Sequence, residues 1–256
     1  MKKEFVFKQF DNDNALAGMT LKSAGNFYAN GSIEGVFGKA DKVFQIAGFS
    51  RWLGNVIMRA EGHGSNVYFF EKLKKGESAQ VFCDGVIYRG YGAAVFFPGG
   101  CPAIAFHDKE AGISGMLHGG WKSIARGIID NFLALWENVG GRKQNTQIIF
   151  LPAVCKDGAV YRGDGYKYFS KTISPVVKAM RPSDFFRFFA LIKRRHKDEY
   201  VKFDLIRLIC FLLLERGYEE MIDIDECVCC GDKFWFYDRD DKNGKKYRNA
   251  AFVISG

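Results

Sequence analysis

The chain has 256 residues, of which 48% are hydrophobic and 16% aromatic, and its formal net charge is +8. This composition excludes a disordered protein, and five prolines with no low-complexity tract leave no obvious linker. We therefore predict one domain over residues 1–256, of the α+β class, with mixed sheets and flanking helices in α/β/β layers.

Hydrophobic periodicity predicts strands and helices that interleave without strict βαβ alternation. The predicted strands are residues 4–10, a strand running into a loop within 15–35, 55–59, 66–70, 80–88, 93–97, 103–107, 112–117, 147–151, 221–224, 233–237 and 250–254. The predicted helices are residues 41–53, 122–139, 164–180, 182–191 and 203–216. The last helix has Asp204 near its start and Gly217 as its stop. A kink is expected within 80–88, at residues 83–85.

The stretch 94–123 contains a cysteine and a histidine in glycine-rich turns. The strand at 93–97 leads through Pro-Gly-Gly to Cys101, and the strand at 112–117 leads to His118 in His-Gly-Gly-Trp. We predict that these strands are neighbours in one sheet, so that the two side chains emerge at similar heights. The glycines allow a ligand to approach the backbone closely, and a thiolate with an imidazole suits zinc or copper.

The positive charge does not predict a nucleic-acid interface. Lys and Arg are scattered, and the clusters at 193–197 and 242–248 do not alternate with aromatic residues as a base-stacking surface would. We interpret them as solvated faces and do not expect specific nucleic-acid binding. The longest apolar run, at 208–214, is too short to span a bilayer, so no membrane partner is expected.

Seven cysteines, an odd number, indicate reduced thiols rather than a secreted disulfide framework. No apolar segment follows the basic residues 1–3, so no signal peptide is predicted and we expect a cytoplasmic protein. The Cys-Val-Cys-Cys run at 227–230 lacks the second paired cluster of a zinc ribbon, so packing is favoured over metal binding there and its role stays open. Cys83, Cys155 and Cys210 lie in apolar contexts and are predicted to pack as small hydrophobic residues.

Several motifs resemble those of the laccase-domain family, also called the polyphenol-oxidase or peptidoglycan-editing-factor family. Cys101-Pro102 matches its Asp-Cys-x-Pro element, residues 118–123 match His-Ala-Gly-Trp-Arg-Gly, and His63-Gly64 matches Gln-x-His-Gly. Further matches occur in the family's order at residues 84–86, 151–154, 161–163, 203–205 and 238–240. The resemblance covers most of the chain and implies a zinc-dependent enzyme acting on purine nucleosides.

The chain departs from the family pattern at charged positions. Gly100 stands where the family has aspartate, and Glu61 where it has glutamine. The family's Trp-Arg-Gly is replaced by Trp-Lys-Ser at residues 121–123, and its Thr-Arg-x-Gly-Gly by Leu-Lys-Ser-Ala-Gly at 21–25. Of the family's double arginine near the end, this chain keeps only Arg239. Because lysine lacks the two-pronged fork of arginine, these changes weaken the expectation of phosphate-dependent chemistry more than that of metal binding.

The resemblance implies that His63, Cys101 and His118 are metal ligands. Three nitrogen or sulfur ligands with a fourth position left to water are typical of catalytic zinc, which activates water or polarises an oxygen. Zinc is the expected cofactor, and copper is the other metal that this donor set suits. The alternative is a buried thiol beside two packed imidazoles.

Asp84, Lys22, Lys122 and Arg239 are the remaining candidates. Asp84 either caps a turn or acts beside the metal as a general acid/base or a substrate-orienting carboxylate. The three cations are either ordinary surface residues or the source of positive charge for phosphate or a ribose-linked anion. We assign Asp84, Lys22 and Arg239 to the predicted catalytic set on the family placement.

Three hypotheses for function follow. The first is a zinc-dependent purine nucleoside phosphorylase or adenosine deaminase, with a purine nucleoside and phosphate as small-molecule partners. The second is another enzyme, either an amidase that edits peptidoglycan precursors or a copper-dependent polyphenol oxidase. The third is a non-catalytic relative that binds a nucleoside or a partner. The sequence does not choose the substrate, the native metal or the oligomeric state.

Overall fold

The structure is a computed structural model that describes residues 5–10, 15–28, 39, 42–43, 55–59, 63–74, 76–162, 171–172, 200–241, 243 and 245–255. Its strands are β1 Phe5–Gln9, β2 Leu16–Thr20, β3 Asn55–Arg59, β4 Val67–Phe70, β5 Ser78–Phe82, β6 Gly85–Arg89, β7 Gly92–Phe96, β8 Ala103–Asp108, β9 Ile113–His118, β10 Thr146–Phe150, β11 Val160–Arg162, β12 Tyr200–Lys202, β13 Met221–Asp223 and β14 Ala251–Ser255. The described α-helices are α1 Trp121–Ala125, α2 Ile128–Asn138, α3 Leu205–Leu214 and α4 Tyr237–Asp240. Short 3-10 turns cover Lys22–Ala24 and Lys143–Asn145.

Two six-stranded mixed sheets form the centre of the fold. The first sheet has the order β1-β2-β14-β7-β3-β5, and the second has the order β13-β10-β8-β9-β6-β4. Strands β11 and β12 form a separate antiparallel pair. The sheets pack against each other through one buried cluster, which contains Ala94 and Val253 of the first sheet with Ala105 and Met116 of the second.

Helices cover the other face of the second sheet. Phe106 and Leu117 of that sheet are buried with Phe132 of α2 and Leu208 of α3. Because successive strand residues point to opposite faces, Ala105 and Met116 reach the sheet interface while Phe106 and Leu117 reach the helices. Both faces of β8 and β9 are therefore buried, and apolar residues occupy consecutive positions in Ala-Ile-Ala-Phe of β8 and Met-Leu of β9. The predicted α+β class with α/β/β layers is confirmed.

Most predicted strands in the described residues are confirmed, but three predictions need correction. Residues 80–88 are not one kinked strand, because the chain crosses at Asp84 from β5 in the first sheet to β6 in the second. Residues 93–97 and 112–117 are not in one sheet, since β7 belongs to the first and β9 to the second. Residues 233–236 form bends and an irregular segment rather than a strand, and α4 begins at Tyr237.

The predicted helix over 122–139 is divided in two. Gly127 separates α1 from α2 and has φ of 82°, a left-handed conformation that glycine adopts without steric cost. The helix predicted at 203–216 is confirmed as α3, and the Asp204 side chain caps it by accepting a hydrogen bond from the Arg207 amide at 3.0 Å.

Three predicted helices lie wholly or almost wholly outside the described residues. They are residues 41–53, of which 42 and 43 are described, 164–180, of which 171 and 172 are described, and 182–191. Within the described part of the chain, none of the helices has the length and apolar character needed to cross a membrane. The extent of the single domain over 1–256 stays a prediction.

Candidate metal centre

Three predicted ligands lie together beside the paired ends of β8 and β9. One donor atom each of His63, Cys101 and His118 lies within 4.8 Å of the other two. His118 is the last residue of β9, and it pairs with Ala103, the first residue of β8. Since Cys101 comes only two residues before Ala103, the antiparallel register of this hairpin brings the thiol beside the imidazole.

The pairing of β8 with β9 therefore brings Cys101 close to His118, and not the predicted pairing of the strands at 93–97 and 112–117. Strand β7 ends in the first sheet, and the turn at 97–102 carries the chain across to β8 in the second sheet. The two sheets pack closely at this point, since the Phe96 and His118 ring centroids are 4.8 Å apart. Phe96 thus forms an apolar wall behind the imidazole.

His63 has an unusual backbone conformation that directs its ring into this group. Its φ is 62°, which is uncommon for a residue with a side chain. Its Nε2 lies 3.8 Å from the Cys101 Sγ, and its ring centroid lies 5.0 Å from that of His118. The Arg126 guanidinium donates a hydrogen bond of 2.6 Å to the His63 carbonyl oxygen, which holds this turn in place.

A buried carboxylate orients His118. Asp84 is 1% exposed, and its Oδ1 lies 2.6 Å from the His118 Nδ1 and 3.0 Å from the Ser123 hydroxyl, which donates to it. The Asp84 Oδ2 accepts a hydrogen bond of 2.7 Å from the Gly64 amide. A carboxylate at Nδ1 holds a proton there, so that a metal ion would bind through Nε2, the arrangement typical of metal-bound histidine.

The same contacts shift the pKa values of the group. Burial would raise the pKa of the Cys101 thiol, but hydrogen bonds and charge from His118 and His63 outweigh it and lower this pKa to about 6. Burial would lower the pKa of His118, but the hydrogen bonds that its imidazole donates to Asp84 and Cys101, with their negative charge, outweigh it and raise this pKa to about 9. For Asp84, burial is outweighed mainly by the His118 hydrogen bond, so its pKa is lowered. The site therefore favours a thiolate at Cys101.

The donor set fits a metal ion. Tetrahedral zinc with ordinary Zn–S and Zn–N lengths would place sulfur and nitrogen about 3.6 Å apart, close to the 3.8 Å between Cys101 and His63. Gly120 leaves the required space, because a Cβ there would lie 2.5 Å from the His63 Cδ2 and 2.9 Å from the His118 Nε2. One thiolate and two imidazoles suit zinc and copper alike, so the geometry does not identify the metal.

Lys22 and Arg239, two of the predicted catalytic residues, lie in a separate charged cluster. The Lys22 Nζ lies 2.5 Å from Asp232 and 3.3 Å from Asp240, and the Arg239 Nη2 lies 2.9 Å from Asp240. Arg239 also donates to the carbonyl oxygens of Gly231 and Phe234. Two cations thus share two carboxylates.

This charged cluster adjoins the turn that carries Cys101. The Tyr237 amide donates a hydrogen bond of 3.1 Å to the carbonyl oxygen of Gly99. A surface cavity of about 300 Å³ lies beside the cluster, lined by Trp235, Arg239, Asp240, Asn243, Lys245 and Tyr247. Lys122, by contrast, lies on α1, with its Nζ 5.4 Å from the ring centroid of Trp121. The catalytic roles of Lys22, Asp84 and Arg239 stay predictions.

Four residues that support the centre were not identified from the sequence. They are Gly64, Phe96, Ser123 and Arg126, which contact Asp84, His118 or the His63 backbone. Ser123 belongs to the motif at residues 118–123, and this position in the motif is the sequence signal from which its role could have been predicted. Arg126 contacts a backbone carbonyl 63 positions away in the sequence, and such a contact has no local signature.

Three solved structures have a similar fold. The Bacillus licheniformis hypothetical protein YfiH matches with a TM-score of 0.76 and 18% identity, over 94% of this chain and 93% of that chain. The Neisseria meningitidis protein NMB0706 matches with a TM-score of 0.74 and 20% identity, over 99% and 100%. YlmD from Geobacillus stearothermophilus matches with a TM-score of 0.73 and 18% identity, over 98% of both chains. No curated protein matches the chain.

The molecule is thus an α/β/β protein with a Cys-His-His group that could hold a metal ion beside the paired ends of β8 and β9. The chain belongs to the family described as multi-copper polyphenol oxidoreductase laccase, whose model matches residues 38–255. The resemblance seen in the sequence is thereby confirmed. The low identity to the three structures makes this chain a divergent member.

Replacing Asp84 by asparagine is expected to weaken metal binding at His118 by about 10- to 100-fold, the usual effect of losing a carboxylate behind a histidine ligand. An amide has one acceptor oxygen, so its NH₂ must face either the Gly64 amide or the His118 Nδ1. The second orientation moves the imidazole proton to Nε2 and blocks the metal-facing nitrogen. Competition with a chromophoric chelator measures the affinity.

Ser123→Ala is the matched comparison for Asp84→Asn, because it removes one hydrogen bond to Asp84 and keeps the carboxylate. Its affinity should lie between those of the parent and Asp84→Asn. Equal affinities for Asp84→Asn and the parent would show that the carboxylate does not set the tautomer of His118.

Proposed function

We propose that the chain is a zinc-dependent enzyme acting on purine nucleosides, with the ion held by His63, Cys101 and His118. The observation that carries this proposal is the group of three nitrogen and sulfur donors backed by a buried carboxylate. Three protein ligands leave one coordination position for water or substrate. His63 and Cys101 are only partly buried, whereas His118 is 2% exposed, so the open position is expected on their side.

The chain's own residues would act mainly by positioning. A bound zinc ion would supply Lewis-acid activation of water or of a substrate oxygen. Asp84 keeps the proton on the His118 Nδ1, and both of its oxygens are already engaged by protein donors. We therefore propose that Asp84 acts through His118 rather than by proton transfer to substrate. Arg126 holds the backbone of His63, and Phe96 keeps water from the back of His118.

Between the two nucleoside reactions, we favour deamination over phosphorolysis. Deamination replaces the exocyclic amino group of adenosine with oxygen from water and releases ammonia, so it needs no anion. Phosphorolysis needs a cationic site for phosphate, and the charges of Lys22 and Arg239 are balanced by Asp232 and Asp240. Phosphate would have to displace at least one carboxylate. Asp232, whose side chain is 89% exposed, could be displaced at low cost.

The test is to incubate the zinc-loaded chain with adenosine without phosphate, and with inosine in the presence of phosphate. We expect inosine and ammonia from adenosine. If Arg239 nevertheless binds phosphate, Arg239→Ala should slow phosphorolysis by about 30- to 1,000-fold, the effect of losing one preorganised donor. The same change should leave deamination at the parent rate.

Arg207→Ala is the matched control for Arg239→Ala, since Arg207 lies on α3 with its side chain 65% exposed. It should change neither rate. Phosphorolysis without deamination would reverse the preference stated above. Phosphorolysis that survives Arg239→Ala would place the anion site elsewhere.

Two observations favour other functions. The family description names copper, and the donor set suits it, so oxidation of a phenol by the copper-loaded chain is the second candidate. Gly100 stands where the family has aspartate, so that carboxylate is missing here. A Cβ at this position would lie 3.0 Å from the Phe236 ring, so Phe236 occupies the space of a side chain. The missing carboxylate favours a non-catalytic relative. Oxygen uptake with a phenol would support the former. Nucleoside binding without turnover of any substrate, including peptidoglycan precursors, would support the latter.

A further inference from the structure

We propose that Cys155, Cys227, Cys229 and Cys230 form a second, structural metal site that binds one zinc ion. The four Sγ atoms all lie within 4.8 Å of one another. The sequence run at 227–230 supplies three of them, and Cys155, 72 positions before Cys227, supplies the fourth. The prediction that Cys155 only packs as a small hydrophobic residue is replaced by this proposal.

The sulfur spacing is that of ligands around one ion. Tetrahedral zinc with Zn–S bonds of about 2.3 Å would separate the sulfurs by about 3.8 Å. Cys155 lies 3.9 Å from Cys229 and 3.4 Å from Cys230, while Cys229 lies 3.7 Å from Cys230 and 3.2 Å from Cys227. A disulfide would need about 2.05 Å, and none of these pairs approaches that length.

The backbone is arranged to receive sulfur ligands. The amides of Cys155 and Cys229 both point to the Cys227 Sγ, at 3.3 and 3.4 Å, as expected around a sulfur that carries negative charge. Gly158 leaves room for Cys229, because a Cβ at that position would lie 2.1 Å from the Cys229 Sγ. A bulkier residue at 158 would displace this sulfur from the group.

Sheet topology explains why distant cysteines meet. Strands β10 and β13 are parallel neighbours, so the loops that follow them leave the same edge of the second sheet. These loops are joined by a parallel bridge between Ala153 and Cys227 and by the Val228 amide, which donates to the Ala153 carbonyl oxygen at 3.1 Å. Val228 is 1% exposed and anchors the run between its cysteines.

A metal in this group would fasten two loops beside the first centre. All four ligands come from the protein, so no position is left for substrate, which is the pattern of a structural site. The Val154 amide donates a hydrogen bond of 2.9 Å to the Gly100 carbonyl oxygen. The Cys155 loop therefore supports the turn that presents Cys101, and we infer that the second site stabilises the position of that ligand.

The experiment uses the full chain carrying Cys101→Ala, so that the first centre contributes no tightly bound metal. After purification with a thiol reductant and addition of zinc, this protein should retain one zinc equivalent with four sulfur neighbours at about 2.3 Å by X-ray absorption. Chelation of the ion should lower the Tm by several degrees, because binding stabilises only the folded state.

Cys230→Ser is the test variant, because Cys230 is exposed and its loss should disturb packing least. It should bind zinc at least about tenfold more weakly, while far-ultraviolet circular dichroism stays at the parent value. Cys210→Ala, which changes a half-buried cysteine on α3, should retain the metal. Four alkylatable thiols with no zinc, cysteines paired as disulfides, or a zinc ion with fewer than four sulfur neighbours would each overturn the proposal.

Discussion

Replacing Cys101 by alanine should remove one metal equivalent from the protein and reduce its metal-dependent activity to background. The change leaves two imidazoles, and two protein ligands rarely hold zinc against water. It also removes the thiolate that the two histidines stabilise, as the lowered pKa of about 6 indicates. We expect an affinity loss of more than about 100-fold, beyond the 10- to 100-fold usual for a lost supporting residue.

The measurement is metal content by mass spectrometry after gel filtration, together with a chelator competition. Cys210→Ala is the matched control, because burial raises the pKa of Cys210 to about 11 and it belongs to neither of the two groups that could hold a metal ion. The loss should be one equivalent, because Cys101 supplies no ligand to the four-cysteine group. An unchanged metal content in Cys101→Ala would exclude this residue as a ligand.

Gly120→Ala should also abolish tight metal binding at the first centre, and for a purely steric reason. Gly120 has φ of −65° and ψ of 140°, a conformation that alanine adopts readily, so the backbone itself is not strained. The added Cβ would instead lie 2.5 Å from the His63 Cδ2 and 2.9 Å from the His118 Nε2. At least one ring must move, and Nε2 is the nitrogen of His118 that Asp84 leaves for the metal.

We expect Gly120→Ala to weaken metal binding by about 100-fold or more, since it displaces ligands rather than their supports. Gly119→Ala is the contrasting variant, because its Cβ would meet Ile209 and Ile104 at 2.6 and 2.9 Å, inside the apolar core. That overpacking should cost about 1–3 kcal/mol of folding free energy. Chelator competition should show the loss of metal affinity in Gly120→Ala, and urea unfolding should show the loss of stability in Gly119→Ala. Equal metal affinities in the two variants would contradict the placement of the histidine rings.

Sequence patterns alone predicted the class of the fold and the three residues of the candidate metal centre. Short apolar runs bounded by turns indicated β8 and β9, and apolar residues spaced three to four apart indicated α2 and α3, because burial of one face or both leaves that signal in the chain. Glycines around Cys101 and His118 marked turns where a ligand can approach. The order of the motifs indicated the laccase-domain family, which the match over residues 38–255 confirms.

The sheet that each strand joins, and the side chains that lie together, became clear only from the three-dimensional structure. Residues 93–97 and 112–117 have similar apolar patterns, yet β7 and β9 lie in different sheets, because periodicity shows that a face is buried but not which strand pairs with it. The chain crosses from β5 in the first sheet to β6 in the second at Asp84, and this crossing brings the Asp84 carboxylate to the His118 Nδ1. Cys155 joined Cys227 only because β10 and β13 run parallel, a non-local pairing that leaves no mark in either segment alone.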